Sequence, residues 1–230
     1  MTPTQSLPRA LVSAGALREG AAAAVASGGE LADLRGDALG HGVLEVAALV
    51  RDAGVHTVLV DDANTADIVR AQGVRAITVG DADIDTRILY GLPGARTTPA
   101  MRLMGRVVST KPLRAGEAVS YGYLHRAAAD TTVALVTGGY AQGIVRALGN
   151  AAHVEIDGML RPIVGRVAMD VCVVDLQDAV ADVTAGADVV YFGGTGVARD
   201  ALADWAAITE LGVAELITVA GSKAVREWTP

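Results

Sequence analysis

Short apolar runs and helix-spaced apolar faces alternate along the first part of the chain. Residues 10–13 (ALVS) read as a strand, and ALREGAAAAVAS after them as a helix. ELADL gives a second strand. From Val43 to Ala53 the apolar residues recur at helical spacing, with Val43, Val46, Ala47 and Val50 on one face. HTVLV, from His56, is a short β-branched strand; Asn64 or Thr65 can cap the helix that follows, and Gly73 closes it. RAITVG adds a further strand. Strand and helix in this rhythm predict parallel βαβ units.

Near residue 99 the pattern changes. From Met101 onward strands follow strands, with glycine-rich turns and little helix. HVEIDGML predicts a hairpin in which Val154 and Ile156 point one way and Asp157-Gly158 makes a tight primed turn. One helix, roughly Arg199 to Glu210, interrupts the series. The pattern therefore predicts an α/β region over 1–98 and a separate β domain over 99–230.

Composition narrows the function classes. Half the residues are hydrophobic (51%) but only 3% are aromatic, so alanine, valine and leucine must fill the core. The formal net charge is −7 and the basic residues are scattered, which argues against nucleic acid as a partner. Cys172 is the only cysteine, so no intrachain disulfide can form and a reducing compartment is expected. No apolar run reaches the length of a membrane span. MTPTQSLPRALVSAG lacks the marks of a signal peptide, so a cytoplasmic setting is expected. His41, His56, His125 and His153 have no metal-ligand spacing. YFGGTG follows a strand, but its glycines depart from the dinucleotide fingerprint.

AVSYGY (118–123), GYAQG (139–143) and RPIVGRVAMD (161–170), in this order and spacing, resemble the carboxyl-terminal domain of alanine racemase. In the first region ALVSAGALREG, LRGDALGHG and RILYG resemble, more loosely, that family's opening strand and helix, its cofactor-lysine motif and the end of its barrel. The resemblance implies a βα barrel that holds pyridoxal phosphate, joined to a β domain that completes the partner subunit's site. A whole barrel needs more than ~200 residues, and 1–98 cannot supply them. The fold implied is a shortened, open βα layer derived from such a barrel, left by an internal deletion, followed by an alanine-racemase-type β domain.

The residues carried over divide into two groups. The family's imine-forming lysine falls at Arg35, whose guanidinium stays protonated and cannot condense with an aldehyde. The plainer alternative for Arg35 is a strand-end cation paired with Asp37. Two phosphate-binding tyrosines of the family fall at Leu39 and Ala214. The arginine facing the cofactor's pyridine nitrogen should be Arg87, but the segment is shorter than the family's by an odd number of residues. On a strand that reverses the face of one side chain. On the β-domain side, Tyr121 matches the second catalytic base and Tyr140 lines the substrate entrance. Met169 and Asp170 match the substrate-carboxylate segment, with Gln142 and Ala168 in place of a family aspartate and cysteine. Tyr121 and Tyr140 can equally be interface packing, and Asp170 a partner for nearby amides.

Three readings stay open. One is a homodimeric binding or assembly protein without cofactor, with a small molecule as possible ligand. The second is a cofactor-independent acid/base enzyme using Tyr121. The third is a residual pyridoxal-phosphate racemase.

Overall fold

The computed structural model describes residues 7–120, 122–178, 180 and 182–230. Strand β1 (Arg9–Ser13) gives way to helix α1 (Ala14–Ala26) at Ser13, whose Oγ accepts the Ala16 amide at 3.1 Å. Next come β2 (Leu31–Asp33), the short turn α2 (Arg35–Leu39), α3 (Val43–Asp52) and β3 (Thr57–Leu59). Helix α4 (Ala63–Ala71), β4 (Arg75–Ile77) and α5 (Thr86–Tyr90) complete the first region. Asp62, not Asn64 or Thr65, caps α4: its carboxylate accepts the Thr65 amide at 2.9 Å.

β2, β3 and β4 form the open parallel sheet that the alternating pattern predicts, with Val58 opposite both Ala32 and Ala76. Its two edges are dealt with locally. On the β2 side, Asp83 accepts the Glu30 and Leu31 amides at 2.8 Å, and the Leu31 carbonyl accepts the Asp83 and Ile84 amides. On the β4 side, Arg70 donates two hydrogen bonds to the Ala76 carbonyl. Edge groups satisfied in this way are poor templates for another chain. β1 is not part of this sheet: it pairs antiparallel with β5 (Met101–Leu113) and parallel with β13 (Val225–Thr229).

The second region holds a hairpin of β6 (Ala118–Val119) and β7 (His125–Arg126), followed by β8 (Thr131–Thr137), β9 (His153–Ile156) and β10 (Met159–Val164). β11 (Val171–Asp175) and β12 (Asp188–Phe192) follow. β5-β8-β11-β10-β9-β12 closes back on β5 as a six-stranded antiparallel barrel, a closure the sequence pattern did not reveal. The β9–β10 turn has positive φ at Asp157 and Gly158, as a primed turn requires.

Two helices lie between β12 and β13: α6 (Ala201–Thr209), inside the predicted span, and α7 (Val213–Lys223), which the pattern did not predict. One buried cluster runs through both regions, from Leu17, Val46 and Val58 to Val136, Tyr191 and Leu216. Trp205 stands edge-on to Tyr191 and Phe192 inside it. Among the described residues no helix is long and apolar enough to cross a membrane.

The shortened layer is closed off by α5 lying against α1. Gly20 allows this approach, because a Cβ there would stand 2.2 Å from the Leu89 carbonyl oxygen. Gly20→Ala is therefore expected to destabilise the protein by roughly 1–3 kcal/mol, despite alanine's better helix propensity. Urea unfolding measures it; an unchanged or raised midpoint would refute the close contact.

Candidate functional site

Two loops meet helix α7 from different sides. The first is the turn after β2. Gly36, Asp37, Ala38, Leu39 and Gly40 all have positive φ, between 52° and 77°, so this turn is left-handed. For the three residues that carry a Cβ such backbone costs about 1–2 kcal/mol each, and it persists only where its surroundings over-determine it. Arg226 donates to the Asp37 carboxylate and to the Gly40 carbonyl, and Asp37 accepts the Val43 amide at 2.8 Å. Gly40 lies directly on α7, where a Cβ would be 3.0 Å from the Gly221 Cα.

His41 closes the turn from inside. It is fully buried, and Nδ1 lies 2.8 Å from the Ala38 carbonyl and 3.1 Å from that of Leu39. A carbonyl can only accept, so the proton sits on Nδ1; the buried Nε2 has no partner among the described residues. The ring is tilted against Tyr90 at 4.7 Å. Burial pushes the imidazole down to about 4, with Arg226 adding to the effect, against the carbonyls that favour its N–H.

Arg35 begins this turn and faces solvent. Its guanidinium forks onto Asp33, with Nε at 2.9 Å and Nη2 at 2.5 Å, so its partner is Asp33 and not Asp37. The pair holds the Asp33 carboxyl below, and the Arg35 guanidinium above, its ordinary value, although burial opposes the Asp33 shift. Asp61 accepts the Gly36 amide at 2.9 and 3.1 Å.

The second loop is the 3-10 turn Tyr140–Gln142. The Tyr140 amide donates to the Ala168 carbonyl at 2.9 Å and Ala141 to Met169 at 3.0 Å, which joins this turn to the segment before β11. Gln142 is buried; its Nε2 donates to Asp170 at 2.9 Å and its Oε1 accepts the Gly139 amide. The Asp170 side chain is thus bound by Gln142 rather than by a backbone amide. Arg146 lies over the Tyr140 ring, 4.6 Å from its centroid, a cation–π contact. A Cβ on Gly143 would stand 3.0 Å from the Ala220 Cα, so this loop also rests on α7.

Tyr140, Met169 and Asp170 are therefore brought together, and the Arg35 turn shares α7 with them. Arg87 is not in this group. It lies on helix α5, not on a strand, so the argument from strand alternation fails. It pairs with Asp85 at 2.8 Å and faces a cleft of about 340 Å³ lined by Ser27, Arg96 and Thr97. Tyr121, the candidate base, lies outside the described residues.

The sequence signal for α7 is weak because Val213, Ile217, Thr218 and Val219 are β-branched, although Leu216 and Ala220, four apart, mark its buried face. At its start Glu215 accepts the Gly212 amide at 2.6 Å, so a carboxylate sits at the positive end of the helix. Among the described residues no His, Cys, Asp and Glu cluster could hold a metal ion.

Comparison with known proteins places this geometry. Residues 100–228 match the family described as alanine racemase, C-terminal domain. The alanine racemase of Mycolicibacterium vanbaalenii is 40% identical over 149 residues, which is 65% of this chain and 37% of that protein. That of Thermobifida fusca is 34% identical over 189 residues, 80% of this chain and 50% of that one. The chain spans half or less of the length of these curated relatives. Among solved structures, alanine racemase from D-cycloserine-producing Streptomyces lavendulae aligns with TM-score 0.83 at 18% identity, over 100% of this chain and 98% of that chain. The Bartonella henselae enzyme with covalently bound pyridoxal phosphate aligns with TM-score 0.77 at 15% identity, over 97% and 99%. At such identities the structural likeness speaks for the fold alone.

The buried His41 gives a pH signature. Unfolded, it takes a proton near pH 6.5; folded, only near 4. The unfolded state thus binds more protons between these values, so stability is lost as the pH is lowered through that window, by about 3 kcal/mol in all. His41→Asn, which keeps a donor for the carbonyls, is expected to flatten this slope whatever it does to absolute stability. Urea unfolding from pH 7 to 4 reads it; equal slopes in both proteins would count against a buried neutral His41.

Proposed function

This chain belongs to the alanine racemase family, and we propose that within it the protein is a binding or assembly member that has lost pyridoxal-phosphate racemase chemistry. The observation that carries the reading is Arg35. At the position that resembles the family's imine-forming lysine stands a solvent-facing guanidinium forked onto Asp33. Imine formation needs a neutral amine, which a guanidinium does not provide at any accessible pH.

The surrounding donors support the same reading, because pyridoxal phosphate does not fit them. Asp61 takes the Gly36 amide and Glu215 the Gly212 amide, so carboxylates hold two backbone donors flanking this region. Leu39 and Ala214 carry no hydroxyl. A dianionic phosphate set here would meet negative charge. The alternative acid/base enzyme rests on Tyr121, for which there is no described geometry to build on.

We also infer a homodimer formed through the β domain. Tyr123, Leu124, Tyr140 and Met169 are large apolar side chains 40% to 71% exposed. Their loops are tied together by Ser120, whose Oγ bonds both the amide and the carbonyl of Arg166, and by the Tyr140–Ala168 hydrogen bond. A shared apolar rim of this kind suits an isologous contact, in which one patch serves both chains.

The cofactor claim has a direct test. Purified protein soaked in pyridoxal phosphate should show no visible imine band and no borohydride-reducible adduct at residue 35, and Arg35→Lys alone should yield no D-alanine from L-alanine. Racemisation by that single variant would defeat the proposal; an adduct at the exposed Lys111 alone would not bear on it. For the assembly, light scattering at micromolar concentration should give a dimer, and Leu124→Glu with Met169→Glu a monomer. A monomeric parent protein would sink the assembly claim.

A further inference from the structure

The face of β1 and β5 turned away from the core carries a cation that nothing above uses. Leu11 and Arg102 are register partners on that face, while Ala10, Val12 and Leu103 point into the core. Arg102 is half-buried and has no carboxylate partner among the described residues. Two of its N–H groups go to the Met104 sulfur, at 3.0 and 3.2 Å, and a thioether is a weak acceptor. Glu227, on the same face, is already forked onto Arg9 at 2.7 and 2.8 Å.

The glycine-rich segment after β12, set aside above because it departs from the dinucleotide pattern, packs on this arginine. Gly193 and Gly194 have φ of 83° and 72°, and a Cβ on Gly194 would stand 2.6 Å from the Arg102 Cδ. The Gly193 amide bonds the Ala198 and Arg199 carbonyls, but those of Gly194 and Thr195 donate to no acceptor among the described residues. Arg102, Gly194, Thr195 and Thr98 line one cleft of about 280 Å³, and neither threonine hydroxyl has a partner among the described residues. A guanidinium resting on sulfur, free amides in a tight glycine turn and unused hydroxyls share one chemistry: all are donors, and together they suit an oxyanion.

We propose that this cleft binds the phosphate group of a small phosphomonoester. Arg102 exchanges its contacts with sulfur for two charge-assisted N–H···O bonds, and the Gly194 and Thr195 amides supply neutral donors. The fork of arginine matches phosphate oxygens. The cleft exceeds the size of a bare phosphate and approaches that of small-molecule sites, which favours an ester over the free ion. With a single cation on an acidic protein, the affinity expected for inorganic phosphate is millimolar.

The test is a pair of titrations of isotope-labelled protein, with inorganic phosphate and with glycerol phosphate, at ionic strength held constant with chloride. Saturable amide shifts centred on Gly194 and Thr195 are expected, weakened about tenfold or more in Arg102→Met. Arg102→Lys should recover part of the loss, and Thr195→Val, which leaves the arginine's packing untouched, should weaken binding independently. Tighter binding of glycerol phosphate assigns the site to an ester, and equal affinities to free phosphate. Non-saturating shifts, or titrations that neither Arg102→Met nor Thr195→Val alters, would overturn the proposal.

Discussion

Gly40 and Gly221 lie so close that a Cβ on either would collide with the backbone of the other, and much of the site depends on this contact. It fixes the left-handed turn against α7 at backbone distance. The turn in turn sets where Arg35 leaves β2 and where Asp37 meets Arg226. On another side of the same helix, Gly143 lets the Tyr140 loop approach equally closely. A helix approached by backbone on two sides transmits position without slack, because close-packed interiors do not deform continuously.

The left-handed turn is the most expensive piece of backbone in the first region, and it is kept although its arginine is unsuited to imine chemistry. Its supports are a carboxylate–guanidinium contact, a buried imidazole and two glycines, Gly36 and Gly40, that rest on α7. A strained turn with such supports has a structural role of its own, since it turns the chain from β2 into α3 and seats it on α7. Fold ancestry and site chemistry are therefore separable here. The ancestry is preserved in backbone geometry, whereas the donors around the turn are now bound by carboxylates.

Shortening the βα region raises the problem of unpaired strand edges. Here Asp83 and the Leu31 carbonyl settle one edge, Arg70 settles the other, and β1 joins the β5–β13 sheet instead of the parallel layer. Because β1 carries α1 with it, the first region shares one buried core with the barrel. Polar satisfaction at the edges and apolar continuity underneath are independent requirements, and both are met.

By itself the sequence determined what depends on local chemistry. Alternating apolar positions specified the short parallel strands and the β9–β10 hairpin, since side-chain period and turn residues act within a few positions. The identity of Arg35 alone puts a permanent cation at the end of β2, because guanidinium basicity is intrinsic. Tertiary structure decided what depends on distant partners. It gave Arg35 to Asp33 and Asp37 to Arg226, put Arg87 on a helix facing another cleft, and joined Asp170 to Gln142. It also sent β1 into the β5–β13 sheet, closed six strands into a barrel and made a helix of the β-branched segment 213–223. Strand partners, ion-pair choices and burial are set by which segments meet in space, and for such meetings a linear pattern carries no local signal.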